Sequence, residues 1–195
     1  QRVTGADPDG ISYGKATALP QAPKAVPGAR QLLLDMTGDG RLDWVSIQPG
    51  LAGFFALNDD HSWRGFTPFS AFPAEFLQSG AQLANLVGDG RLDLVLIGPN
   101  GVRLYANTGS GFAAPVNVAC NNGPLPVPGR DARELVAFAD VLGVGSPQLL
   151  RVTFNQLTCW PDLGRGAFGA PLTFALDPLD SADAFNPARL FLADV

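Results

Sequence analysis

The side chains best placed for chemistry lie in Asp35-Met36-Thr37-Gly38-Asp39-Gly40-Arg41-Leu42-Asp43. Asp35, Thr37, Asp39 and Asp43 stand at odd positions of this loop, so alternate side chains turn toward one point. Gly40, after the central Asp, permits the sharp bend that a ligand cradle needs. Hard cations such as calcium favour all-oxygen cages, and the Arg41 backbone carbonyl falls at loop position seven, where a main-chain oxygen completes such a cage. The loop therefore reads as a candidate calcium site built from Asp35, Thr37, Asp39, Asp43 and the Arg41 carbonyl. The competing reading is metal-free: Asp and Asn side chains cap the turn by accepting backbone N–H groups. The flanks, Leu32-Leu33-Leu34 and Trp44-Val45-Ser46-Ile47, are strand-like, and no Glu follows Asp43 where a helix-flanked calcium hand would place one.

The elements that hold this loop recur. Asn85-Leu86-Val87-Gly88-Asp89-Gly90-Arg91-Leu92-Asp93 keeps the Gly-Asp-Gly-Arg-Leu-Asp core, with Asn85, Asp89 and Asp93 as a weaker ligand set because Val87 replaces the hydroxyl. Asp140-Val141-Leu142-Gly143-Val144-Gly145-Ser146-Pro147-Gln148 is a degenerate third copy lacking most ligands, and Leu190 to Val195 opens a fourth. The loop starts Asp35, Asn85, Asp140 and Asp194 are 50, 55 and 54 residues apart. A fixed period of this size signals an array of supersecondary units. Because the third copy survives without ligands, the turn is expected to form without metal.

Each unit follows one order: loop, apolar strand, Gly/Pro turn, second strand ending in Asn58, Asn107 or Asp162, then a Phe-containing element. About four short strands per unit is the content of one propeller blade. The strands Trp44 to Ile47 and Leu94 to Ile97 are apolar on both faces, so Leu94 to Ile97 is expected to be fully buried between neighbours. The reading is all-β with almost no helix: a partial β-propeller of about three four-stranded blades. Residues 1–30 form a lead-in, 31–82, 83–136 and 137–189 three blades, and 190–195 the start of another. The connectors Ser70 to Gly80 and Asn117 to Arg133 read as longer inter-blade segments, the second exposed. Trp44, Trp63 and Trp160 read as blade-packing core rather than a sugar site.

Composition sets the outer bounds. The 195 residues are 46% hydrophobic and only 16% charged, enough apolar content for a sizeable core. Twenty-three Gly and 17 Pro among short apolar runs fit an all-β chain. A net charge of −5 without a basic stripe argues against nucleic acid and anionic membranes as direct partners, and no run approaches the roughly 20 apolar residues of a membrane span. Cys120 and Cys159 read as separate thiols. The chain begins at Gln1, stops inside a repeat and shows no signal peptide, which suggests a fragment of a longer protein. Two exposed end blades suggest in turn that it self-associates, two copies closing a six-bladed ring.

Enzymatic readings fare badly, and the chain is expected not to be an enzyme. The single His61 sits in the polar turn Asn58-Asp59-Asp60-His61-Ser62. Gly164-Arg165-Gly166-Ala167-Phe168-Gly169 matches a dinucleotide-binding pattern by letter but opens no helix. Neither a nucleophile elbow nor a phosphate loop is present.

The repeated loops resemble the FG-GAP/VCBS repeats of integrin type. A more specific resemblance is carried by Leu33 to Trp44, Gly98 to Asn107, Leu125 to Gly129, Asp131 to Phe138, Thr158 to Gly164 and Phe185 to Asp194, in that order. These look like the middle or N-terminal region of the B component of bacterial Tc (insecticidal ABC-type) toxin complexes, from about Pro27 onward. That resemblance implies a non-catalytic β-propeller docking the toxin cocoon onto the channel-forming A component and gating passage of the effector from the C component. It also implies a protein made in the bacterial cytoplasm and exported within a toxin complex. The alternative is an adhesion or glycan-binding module of VCBS/FG-GAP type with structural calcium.

Overall fold

The computed structural model describes residues 3–7, 10–13, 15–16, 18, 23–24, 27–48, 51–177, 181–190 and 192. The lead-in contains an antiparallel pair, β1 (Val3–Asp7) with β2 (Gly10–Tyr13). Three four-stranded antiparallel sheets follow, each connected strand to neighbouring strand. Sheet I is β3 (Arg30–Leu34), β4 (Asp43–Gln48), β5 (Leu51–Phe55) and β6 (Thr67–Pro68). Sheet II is β7 (Ala81–Ala84), β8 (Asp93–Gly98), β9 (Gly101–Tyr105) and β10 (Val116–Ala119). Sheet III is β11 (Leu135–Ala139), β12 (Gln148–Val152), β13 (Gln156–Trp160) and β14 (Leu172–Ala175). The chain is all-β, and its helical content among the described residues is two short 3-10 turns, Ala74–Leu77 and Pro187–Arg189. Most of the truncated fourth repeat lies outside the described residues.

The two-sided apolarity of the second strands has a direct cause: sheet II lies between the other two. Leu94 and Tyr105 on one face join Val45, Ile47 and Phe54 of sheet I in one core cluster. Val95, Ile97, Val102 and Leu104 on the other face join Val136, Leu149 and Trp160 of sheet III in a second. Because strand side chains alternate in direction, neighbours in sequence serve different cores. Leu94 and Val95 are wholly buried. The expectation of full burial fails at Leu96, which is half-buried beside Arg103 at the margin of the first cluster.

The connectors are wedges. Phe72 and Phe76 of the first stack with Phe69 and Phe112, at centroid separations of 5.1–6.4 Å, and fill the gap between sheets I and II. The second connector departs from the exposed segment that its Pro and Asn content suggests. Its start is strand β10, and Leu125 and Pro126 are buried. The Leu125 amide donates to the Pro99 carbonyl at 3.0 Å, which pins the segment to the β8–β9 turn. Trp160 is core, but Trp44 and Trp63 are half-buried and meet edge to face at 6.2 Å on the outer side of sheet I. In sheet I, a Cβ at Gly53 would stand 2.3 Å from the Thr67 carbonyl oxygen, so glycine is needed for β6 to lie this close. Both cysteines are free thiols.

Candidate functional site: the repeated acidic loops

Each loop joins the first two strands of its sheet, and its last carboxylate begins the second. Asp43 is fully buried at the start of β4. Its Oδ2 accepts the amides of Met36 (3.0 Å) and Thr37 (3.3 Å), and its Oδ1 accepts that of Leu57 (3.3 Å). Asp93 repeats this, accepting from Leu86, Val87 and Asn107, each at 2.9 Å. Gln148 replaces it in the third loop: its Oε1 accepts the Leu142 amide at 3.1 Å, and its Nε2 donates to Asp140. The first loop residues act from outside. Asp35 accepts from Gly38 (2.7 Å), Asp39 (3.2 Å) and Gly40 (2.8 Å); Asn85 accepts from Gly88 (2.9 Å); Asp140 accepts from Val144 (3.0 Å) and Gly145 (2.6 Å). Gly38 and Gly40 have φ of 79° and 81°, the left-handed conformation that such N–H convergence needs and that glycine adopts without strain. Asp39 and Asp89 accept the amides of Arg41 and Arg91 in small local turns.

These contacts decide how the loop oxygens are used. The carboxylates of Asp35, Asp43 and Asp93 each already serve three backbone N–H groups, and among the described residues no three His, Cys, Asp or Glu side chains gather as a metal site. Thr37 Oγ1 is buried without a protein partner, but one hydroxyl makes no cage. These contacts are those of the turn-capping alternative, and they support it over the calcium cage. Millimolar calcium is accordingly expected to leave the melting temperature unmoved, and a chelator-reversible rise of several degrees, abolished by Asp35→Ala, would restore the cage.

Burial pushes the Asp43 and Asp93 carboxyls above their ordinary range, against the pull of their backbone N–H partners. The exposed Asp140 is shifted the other way, held low by the amides of Val144 and Gly145 and by Gln148. A depressed folded-state pKa gives stability that is present above the ordinary carboxylate range and lost as pH falls through the folded value. The wild-type melting temperature should therefore fall more steeply than that of Asp140→Asn on acidification below about pH 4, the ordinary aspartate range. Parallel curves would remove Asp140 from this role.

The arginines of the motif use their side chains. Arg41 pairs with Asp59 of the following turn, and Arg91 donates to the Asn107 carbonyl at 3.1 Å while pairing with Asp89 at 2.6 Å. Sequence reasoning passed over Asn107, which is 2% exposed and ties two sheets together. Its Nδ2 donates to the Met36 carbonyl of sheet I's loop at 3.1 Å. At the next junction the Arg165 amide donates to the equivalent carbonyl, Leu86, at 2.7 Å. The available signal was the recurrent Asn or Asp closing each second strand. His61 is exposed, and the glycine-rich stretch at Gly164 forms a turn bridged by Asp162 and Phe168, with no helix.

Stacked four-stranded sheets with internally capped acidic loops define an all-β repeat protein. No protein-family model and no curated protein matches the chain. Among solved structures it is similar to a chain of the Photorhabdus luminescens Tc holotoxin pore, with 47% identity, a TM-score of 0.81, and coverage of 100% of this chain and 9% of that one. It is also similar to a chain of the TcdB2–TccC3–Cdc42 crystal structure, at 31% identity over 85% of this chain and 10% of that one, with a TM-score of 0.45. A lectin of Agrocybe aegerita, described as recognising non-reducing terminal N-acetylglucosamine, shares the fold alone: 21% identity, a TM-score of 0.51, 73% of this chain and 37% of that one. The chain belongs to the Tc toxin B components, and it spans 9% of the length of the Tc holotoxin chain it matches.

Proposed function

We propose that this chain is a non-catalytic propeller segment of a Tc toxin B component, exported within the toxin complex. In this reading it docks the cocoon onto the channel-forming A component and gates passage of the effector carried by the C component. The observation that carries the reading is the 47% identity to a Tc holotoxin chain over the full length at a TM-score of 0.81. Three face-packed, four-stranded units of one repeat support a propeller, because each blade buries its faces only against neighbours. The absence of catalysis rests on the polar, exposed setting of the one histidine and on carboxylates committed to backbone capping.

One end of the sheets offers a surface for docking. The loop ends carry Leu42 (54% exposed), Val144 (64%) and Leu163 (66%), more apolar side chain than a solvated turn needs. Changing all three to Ser in the assembled B–C complex is expected to weaken binding to the A component at least tenfold by interferometry, with melting unchanged. Unchanged affinity and unchanged effector delivery would remove this end as the docking face. A glycan array run with and without calcium should stay blank; specific, calcium-dependent sugar binding would replace the toxin reading with an adhesion module.

A further inference from the structure

A second site lies between sheet III and the proline-rich connector. Pro126, Arg130, Asp131, Glu134, Arg151 and Trp160 are among the residues lining a cavity of about 390 Å³, within the range of small-molecule sites. Several donors here lack acceptors. Trp160 is 4% exposed, and its indole Nε1 is buried with no partner; Thr158, the cross-strand neighbour of Arg151 but not a lining residue, is 5% exposed, and its hydroxyl has none either. Arg151 Nε is likewise buried without a hydrogen bond; its ion-pair partner, Glu134 Oε1, stands 3.8 Å away, beyond hydrogen-bond range. Arg151 pairs with Thr158 across the β12–β13 ladder, and Leu149 with Trp160, so Arg151, Thr158 and Trp160 occupy one face of the sheet within side-chain reach. Arg130 forms no ion pair among the described residues, and Asp131 Oδ1 already takes the Arg133 amide at 2.8 Å.

Sheet II shows which partner such a position takes. Tyr105 stands in the register position of Trp160, and Arg103 in that of Thr158. There the connector supplies Glu75, which hydrogen-bonds the Tyr105 hydroxyl and lies 3.9 Å from Arg103. A carboxylate from the chain itself thus closes the site in one repeat. In the next repeat Glu134 stands as near Arg151 as Glu75 does Arg103, but no carboxylate hydrogen-bonds the Trp160 indole. An unsatisfied buried donor is costly, so a native site that retains several calls for an acceptor from elsewhere.

We propose that this cavity binds a small molecule through its carboxylate, which accepts from the Trp160 indole N–H and the Arg151 guanidinium, with Arg130 adding positive charge. The site is separate from the acidic loops and from the loop-end surface, so its test is independent of the toxin reading. The ¹⁵N-labelled chain, with three indole N–H signals, would be titrated with acetate, lactate and glucuronate, each beside its neutral amide. Trp160→Phe assigns one signal by removing it while keeping a ring in the core. The expected result is a saturable shift of the Trp160 indole with at least one carboxylate and none with its amide, the Trp44 and Trp63 signals staying still. Arg151→Gln should weaken that binding at least tenfold. Equal shifts with acid and amide, movement of all three indoles together, or an unmoved Trp160 signal held by an ordered water alone would overturn the proposal.

Discussion

Replacing Asp93 with Ala should cost this chain about 3–5 kcal/mol in urea unfolding, since two buried amides and one half-buried amide lose their acceptor, at about 1–3 kcal/mol for each buried one. Asp93 is fully buried and takes the amides of Leu86, Val87 and Asn107, so one side chain closes the loop between β7 and β8 and anchors the end of β9. Asp93→Asn should cost less, because an amide oxygen keeps part of the acceptance. Asp35→Ala, whose partners are exposed, should cost about 1 kcal/mol, the worth of an ordinary cap. The ordering matters more than the values. A calcium cage would make Asp35 and Asp93 comparable and both effects calcium-dependent, whereas a backbone lock makes Asp93 dominant at any calcium concentration. A loss below about 1 kcal/mol for Asp93→Ala would mean that the loop closes without it, contrary to the cost of orphaned buried amides.

That contrast shows what could be read from the residues. The period, the four strands per unit and the double-faced burial of the second strand were legible, because they rest on spacing and hydrophobicity alone. The use of the loop oxygens was not, because turn caps and cation cages ask for the same residues at the same spacing: Asp and Asn at alternate positions with glycines between. What separates them is where each carboxylate points, and Asp43 and Asp93 point at backbone amides. The connectors were illegible for a different reason. Phe72, Phe76 and Leu125 fill the gaps between sheets as isolated wedges, and one apolar residue among Pro, Asn and Gly carries no period. Asn107 stood out only once its Nδ2 was seen to reach the preceding unit's loop.

Leu94→Ala is expected to cost about 2.7–5 kcal/mol, the range for leucine-to-alanine substitutions at well-packed sites. Leu94 has no exposure and joins the core shared by sheets I and II. Leu33, on the opposite face of sheet I from that core, makes the informative comparison. It is 56% exposed, whereas Leu83, its counterpart in sheet II, is packed against sheet I. In the isolated chain Leu33→Ala should shift stability by no more than about 0.5 kcal/mol, the usual range for a surface position. Within an assembled B component the proposed propeller places another blade against that face, and the same substitution should then cost about 2 kcal/mol or more, as for a buried leucine. Parallel unfolding of both variants, in the isolated chain and in the B–C complex, separates the possibilities. A Leu33 effect that grows on assembly indicates a covered blade face, while one that stays near zero in both would leave sheet I as a true end of the stack and sink the ring.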